Sequence, residues 1–263
     1  MGSRPSRRLA TAWRALRTGI AFAAFGFGSL WLAFVWIRVR AVLDRNHAEP
    51  WRRAQLGIHR LFRWHANLME RRLGLIEVHW IGAERLHGGG PRIIVANHPS
   101  LIDVVLIISR LPQADCIVAR SRAQNAWLRA SASAADYISN DGGAHVVNEA
   151  ARRLREGRTL LVFPEGTRSP EVGLGHFERG AAHIALASGL DILPIEITVA
   201  PRMLMKGQPW YEVPPRAGRY TLRVGDPLVA KDFLDGSESS VMAARKLTKA
   251  LRARFSRGGT NGD

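Results

Sequence analysis

"RIIVANHPSLIDVVLIISR", residues 92–110, joins a short apolar run to a polar turn and then to a second apolar segment. Arg92–Ala96 is brief and rich in branched residues, the pattern of a strand buried on both faces. Leu101–Arg110 has the length and composition of a helix. Between them stand Asn97, His98, Pro99 and Ser100, and Asp103 follows His98 by five positions. Pro99 suits a first helical position, because it lacks the N–H that would be orphaned there. A buried strand feeding through a tight turn into a helix is the repeating unit of an α/β sheet.

The same alternation extends on both sides. Strands are expected at Leu75–Ile81, Cys116–Ala119, Thr159–Phe163, Ile192–Val199 and Arg219–Val224. Helices are expected at Ala144–Glu156, Phe177–Ser188 and Ser240–Phe255. Gly157 and Gly189 stand just past two of them, where a left-handed C-cap favours glycine. The expectation is an α/β fold: a single domain over residues 75–256 around a mostly parallel sheet with flanking helices. Residues 257–263 are small and polar and read as a disordered tail.

Residues 1–74 are different. The segment 19–37, GIAFAAFGFGSLWLAFVWI, has no charge and approaches the length a helix needs to cross a bilayer core. Arg14 and Arg17 precede it, Arg38 and Arg40 follow it, and Trp31 and Trp36 suit a membrane interface. A cleaved leader and a buried core helix are the alternatives; no A-x-A-like site follows before Arg38. Residues 51–73 place Ala54, Ile58, Leu61, Phe62, Leu68 and Met69 at mostly helical spacing among six arginines. This reads as a basic amphipathic helix lying in a membrane interface, or as an ordinary helix packed on the domain. The two segments together form membrane-associated helices or a helical hairpin that docks the domain on one leaflet.

Composition narrows the function. Cys116 is the only cysteine, so an intrachain disulfide is excluded, and no Cys/His metal spacing occurs. The formal net charge of +16 calls for an acidic partner, either nucleic acid or an anionic membrane surface. No phosphate-binding GKS/T loop or dinucleotide fingerprint is found. "HGGGP", residues 87–91, resembles an esterase oxyanion loop, but the required G-x-S-x-G elbow is missing, so it reads as a turn.

Two turns carry chemistry. Ligands of α/β sheets gather at the carboxyl ends of strands, where Asn97 and His98 sit. Asp103 can accept from one imidazole nitrogen, fixing the tautomer while the other nitrogen takes a proton. The second stretch is "TLLVFPEGTRS", residues 159–169. Gly166 permits a positive φ, Arg168 can grip a phosphate through paired hydrogen bonds, and Glu165 can accept from a hydroxylated substrate. Alone, the first turn is equally a capped helix start and the second a polar surface turn. Together they close two strands of one sheet.

At these residues the chain resembles the glycerolipid acyltransferases of the lysophosphatidic acid type, the PlsC-like family. "HPSLID" matches their histidine–four residues–aspartate block and "FPEGTRS" their second block. "FERGAAHIAL", residues 177–186, and "ILPIEI", residues 192–197, follow in the same order, over about residues 75–225. The resemblance implies a membrane-associated O-acyltransferase. His98 would be the general base and Asp103 its orienting acid, with no metal and no cofactor beyond the acyl donor. Asn97, Ser100, Arg120, Glu165, Gly166, Thr167, Arg168 and Pro194 would bind substrate. The donor would be acyl-CoA or an acyl carrier protein, and the acceptor a lysophospholipid-like molecule such as 1-acylglycerol-3-phosphate. Membrane lipids, not nucleic acid, would be the partners, with the catalytic domain on the cytoplasmic side of the inner membrane. Two positions depart from the family pattern: Ala119 followed by Arg120 where a basic residue ends the strand, and Asp136 where a glycine precedes the "YI" pair. "KGQPWYEVPPR", residues 206–216, resembles a branch acting in polyene and unusual-lipid pathways. The other readings are a basic module that binds anionic lipid or nucleic acid without catalysis, and a hydrolase using the same pair on water.

Overall fold

The structure, a computed structural model, describes residues 4–36, 38–39, 49–119, 132–133, 135–140, 142–234 and 239–258. A seven-stranded sheet is its frame: β1 (Ile76–Ile81), β2 (Ile93–Ala96), β3 (Asp115–Ala119), β4 (Ile138–Asn140), β5 (Leu160–Val162), β6 (Ile192–Ala200) and β7 (Gly218–Val224). The spatial order is β1-β7-β6-β2-β5-β3-β4, and every neighbouring pair is parallel except β6 with β7. This is the expected α/β fold with a mostly parallel sheet.

Among the described residues, six α-helices flank the sheet: α1 (Arg4–Trp31), α2 (Pro50–Asn67), α3 (Asp103–Ile108), α4 (Gly143–Arg155), α5 (Gly180–Ser188) and α6 (Ser240–Gly258). Strand alternation sorts them. Ile94 and Ala96 of β2 join a core with residues of α1, α2 and α3, while Ile93 and Val95 join one with residues of α4, α5 and α6. All four are fully buried, as a central parallel strand requires. Central β2 lies between β6 and β5. From β2 the chain runs through α3 to β3 on one side; from neighbouring β5 it runs through α5 to β6 on the other. The connections part at the carboxyl ends of β2 and β5, and such a switch point opens a crevice.

Several local expectations need correction. The helix after β2 begins at Asp103 rather than Leu101, so Pro99 precedes it by a turn and is not its first residue. The reason is Asp103 itself: its Oδ2 accepts from the Ser100 N–H at 2.7 Å, which closes a polar turn ahead of the helix. The helix at "FERGAAHIAL" begins at Gly180, because Phe177 is buried in the core as part of an extended lead-in. Strand β4 was not anticipated; its three residues are too few to show a period. Gly157 and Gly189 do take the left-handed backbone past α4 and α5.

The N-terminal helices share one core with the sheet. Ala21 of α1 and Leu32 of the π turn after it, with Ala54 and Ile58 of α2 and Met69 of the π turn after that helix, pack with Ile94 and Ala96. The Arg14 guanidinium donates to the carbonyls of Pro214, Gly74 and Leu75, and Arg17 to that of Leu73. Leu9, Trp13, Leu16, Ile20, Phe27 and Trp31 remain exposed. Among the described residues, one helix, Leu9–Trp36, is long and apolar enough to cross a membrane. On α2 and the π turn after it, Arg52, Arg60, Arg63, Arg71 and Arg72 are exposed opposite the buried residues.

Candidate active site

The turn after β2 and the turn after β5 are laced together by Glu165. Its Oε1 accepts from the His98 backbone N–H at 3.1 Å and from the Ser169 hydroxyl at 2.6 Å. Its Oε2 accepts from the Gly175 N–H at 2.8 Å. A Cβ at position 175 would stand 2.6 Å from that carboxylate oxygen, so only glycine lets the loop approach. The Ser169 N–H donates to the His98 carbonyl at 2.7 Å. Gly166 has the anticipated positive φ of 63°, which reverses the chain between Glu165 and Arg168. Buried Glu165 thus serves the backbone that presents His98.

His98 is held on its other sides as well. Its Nδ1 lies 2.9 Å from Asp103 Oδ2, and the Phe163 ring packs against the imidazole with centroids 4.5 Å apart. Asp103 Oδ2 already accepts from Ser100 N–H, so Nδ1 carries the proton of the pair and Nε2 is left as the acceptor. Burial pushes the Asp103 carboxyl above its ordinary range; the hydrogen bond and charge of His98, then the Ser100 N–H, act against that shift. Asp103 Oδ1 is buried and unpartnered among the described residues. This arrangement can orient an imidazole and stabilise it once it gains a proton.

His98, Glu165, Gly166 and Thr167 line a cavity of about 940 Å³. Behind them the walls are mainly apolar, from Phe22 and Phe25 of α1, Phe62 of α2, Met69 of the π turn after it, Val105 of α3 and Val118 of β3. Cys116 also lines it, but burial and then the charge of Asp115 push its thiol up to about 12, so it remains a protonated apolar group.

Of the other anticipated binding residues, Asn97, Ser100, Pro194 and Arg168 lie outside the cavity wall. Asn97 turns to β6, donating to the Ile197 carbonyl at 2.9 Å and accepting from its N–H at 2.7 Å, which adds a rung beyond the end of β2. The Ser100 hydroxyl donates to the Met203 carbonyl at 3.1 Å and shares a hydrogen bond with the Tyr220 hydroxyl at 2.8 Å. Pro194 is buried within β6, opposite Val95. Arg168 is half-buried and donates through Nη1 to the carbonyls of Leu204 and Met205 at 3.1 and 2.8 Å. Arg120 lies outside the described residues. Asp136 adopts the left-handed φ of 56° that a glycine would take, and its carboxylate accepts from Arg153 and Arg158. Sequence reasoning passed over Phe163, although its place directly before Pro164 in the second block was a signal.

Residues 77–198 match the Acyltransferase family. A 1-acyl-sn-glycerol-3-phosphate acyltransferase of Cocos nucifera is 30% identical over 113 residues, 40% of this chain and 37% of that protein. A lyso-ornithine lipid O-acyltransferase of Pseudomonas aeruginosa is 32% identical over 120 residues, 43% of this chain and 46% of that protein. The chain therefore matches less than half the length of either relative. The crystal structure of the 1-acyl-sn-glycerophosphate (LPA) acyltransferase PlsC from Thermotoga maritima shares the fold: the TM-score is 0.68 at 22% identity, covering 93% of this chain and 98% of that one. Both strong sequence blocks fall inside the region that matches the Acyltransferase family, at the ends of neighbouring strands of the fold shared with PlsC.

Proposed function

We propose that this protein transfers an acyl group from an acyl thioester to the hydroxyl of a lysophospholipid-like acceptor such as 1-acylglycerol-3-phosphate. The observation that carries the reading is the His98–Asp103 pair at one wall of a large, mainly apolar cavity. The acyl chain of the thioester lies in the apolar part and its carbonyl carbon stands near His98. His98 Nε2 removes the acceptor's hydroxyl proton as the oxygen attacks that carbon. The carbon–sulfur bond then breaks, and the imidazolium returns the proton to the departing thiolate. Asp103 holds the ring and offsets its charge. Acyl-CoA and acyl carrier protein both present such a thioester, and the basic surface suits either acidic donor as well as anionic lipid. No metal or further cofactor enters the scheme.

Attachment is to one leaflet of the inner membrane, with the catalytic domain on the cytoplasmic side. Support comes from the N-terminal helical segment, which touches the domain from Arg14 through Leu32 while an apolar set remains exposed. Washing membranes with high salt should leave the protein bound, because apolar burial is not screened; release by salt alone would overturn this placement.

For the acceptor, Arg168 supplies the charge that a phosphate needs. A second reading, an acceptor without phosphate, is favoured by one observation: Arg168 Nη1 serves the carbonyls of Leu204 and Met205, and Arg168 is not in the cavity wall. Mass analysis of the product formed from an acyl thioester offered with 1-acylglycerol-3-phosphate and a lyso-ornithine lipid in competition tests both. Release of free fatty acid without any acylated lipid would identify a hydrolase and overturn acyl transfer.

A further inference from the structure

The cavity contains a second histidine that the mechanism does not use. His65 of α2 is only 3% exposed, yet it lines the same cavity as His98. Its Nδ1 is buried and has no hydrogen-bond partner among the described residues. Its ring lies against Phe25, with centroids 5.0 Å apart. Burial pushes it down to about 4, so the imidazole is neutral at working pH and presents one N–H donor and one bare acceptor. His59, a turn and a half earlier on the same helix, shows the ordinary solution: its Nδ1 meets the Ile108 carbonyl at 2.8 Å.

A wall built to hold a plain hydrocarbon has no use for this group. Phe22, Phe25, Leu61, Phe62 and Met69 supply the apolar surface there, and a leucine at position 65 would complete it. An unmet ring nitrogen forfeits a hydrogen bond it would have had in water. Ser29 adds a second polar group: it is one helical turn after Phe25 on α1 and lines the same cavity. Two polar groups, one from each N-terminal helix, therefore stand in a mainly apolar wall.

We propose that His65, with Ser29 on the wall of the same cavity, recognises an oxygen carried on the acyl chain, so that the cavity selects hydroxylated acyl thioesters over plain ones. The proposal rests on the reading of the cavity as the acyl-chain site. A hydroxyl both donates and accepts, so it satisfies the neutral imidazole in either tautomer, whereas a methylene satisfies neither nitrogen.

The test uses the full chain in lipid vesicles with 1-acylglycerol-3-phosphate or lyso-ornithine lipid as acceptor. Donors are plain and singly hydroxylated acyl chains of equal length, with the hydroxyl moved along the chain. They are offered in pairs as CoA or carrier-protein thioesters, and the product ratio is read by mass spectrometry. The wild type should prefer one hydroxyl position over the plain chain by about 2- to 12-fold, the worth of one net hydrogen bond. His65→Leu should abolish that preference, and His65→Gln, which keeps a donor and an acceptor, should retain part of it. An acylated product formed with no preference at any position would overturn the proposal and mark the nitrogen as a water site. A preference that survives His65→Leu would also overturn it. Absence of acyl transfer from every thioester would instead remove the acyltransfer reading beneath it.

Discussion

Two buried histidines line one cavity and have opposite surroundings. His98 is held at its ring by Asp103 and Phe163 and at its backbone by Glu165 and Ser169. His65 has Phe25 against its ring and an unpartnered Nδ1. Both are almost fully buried, so burial alone separates nothing. The partners do. An imidazole with an anion on one nitrogen is prepared to receive a proton on the other, whereas an imidazole among phenyl rings is kept neutral and can only exchange hydrogen bonds.

The largest effect that sharpens this contrast is at His98. His98→Ala should cut turnover by ~10²–10⁴-fold, the worth of general-base help, in a protein that still folds although it loses the buried contact with Asp103. A variant with near wild-type turnover would break the assignment. Asp103→Asn should come next, because the anion that fixes the tautomer is gone while the turn at Ser100 keeps an acceptor oxygen. Its stability carries a sign that tests the burial of the carboxyl. The folded Asp103 carboxyl sits above its ordinary value near 3.8, so its contribution is fully present below that value and is lost as pH rises through the folded one. At neutral pH the buried charge is a cost. Asp103→Asn should therefore melt no lower than wild type at pH 7 while losing activity, and the gap should close in acid. Thermal melts across pH check this; a variant that melts well below wild type at pH 7 would refute it.

The contrast also shows what the chain makes legible. His98 is legible because its chemistry is local: the acid is five residues away and the strand before it is wholly apolar. The alternation of strands and helices is legible for the same reason, since each period is complete within one element. Glu165 looked like a substrate contact because nothing in "FPEGTRS" reveals that its oxygens face His98 and Gly175. Asn97 looked like one because its partner, Ile197, is a hundred residues away. His65 sits in a run of arginines that reads as a membrane face, and only the packing of α1 on α2 turns it inward. What a side chain does across the sheet depends on strand order, and strand order is not written in any one segment.

Arg168 ranks third. If it holds an acceptor phosphate, Arg168→Ala should raise the acceptor's KM by about 10- to 150-fold and leave the donor's nearly alone, since a hydrogen bond to a charged group is worth ~1.5–3 kcal/mol. Arg168→Lys should recover only part, because an ammonium lacks the planar fork. If the contacts with Leu204 and Met205 are its whole role, the variant should lose stability and both substrates together. Kinetics with each substrate varied in turn, run beside a melting curve, separate the two outcomes.

The smallest expected effect on turnover, and the one that isolates the second histidine, concerns stability in acid. The folded His65 titrates near 4 against an ordinary value of 6.5. A lowered folded value means that its contribution is fully present above about 6.5 and is lost as pH falls through that value towards the folded one. A difference of this size corresponds to roughly 3 kcal/mol lost by pH 4. The chain carries many other acids and histidines, so the wild type alone cannot reveal it. The difference between wild type and His65→Leu cancels them. At pH 7 the two proteins should be close, or the variant more stable, since leucine leaves no nitrogen unmet. Between pH 6.5 and 4 the variant should gain steadily on the wild type. Denaturant melts at half-unit steps of pH measure the gap. A gap that stays flat would mean that His65 is protonated or solvated in the folded protein, and the two histidines would then differ only in their distance from Asp103.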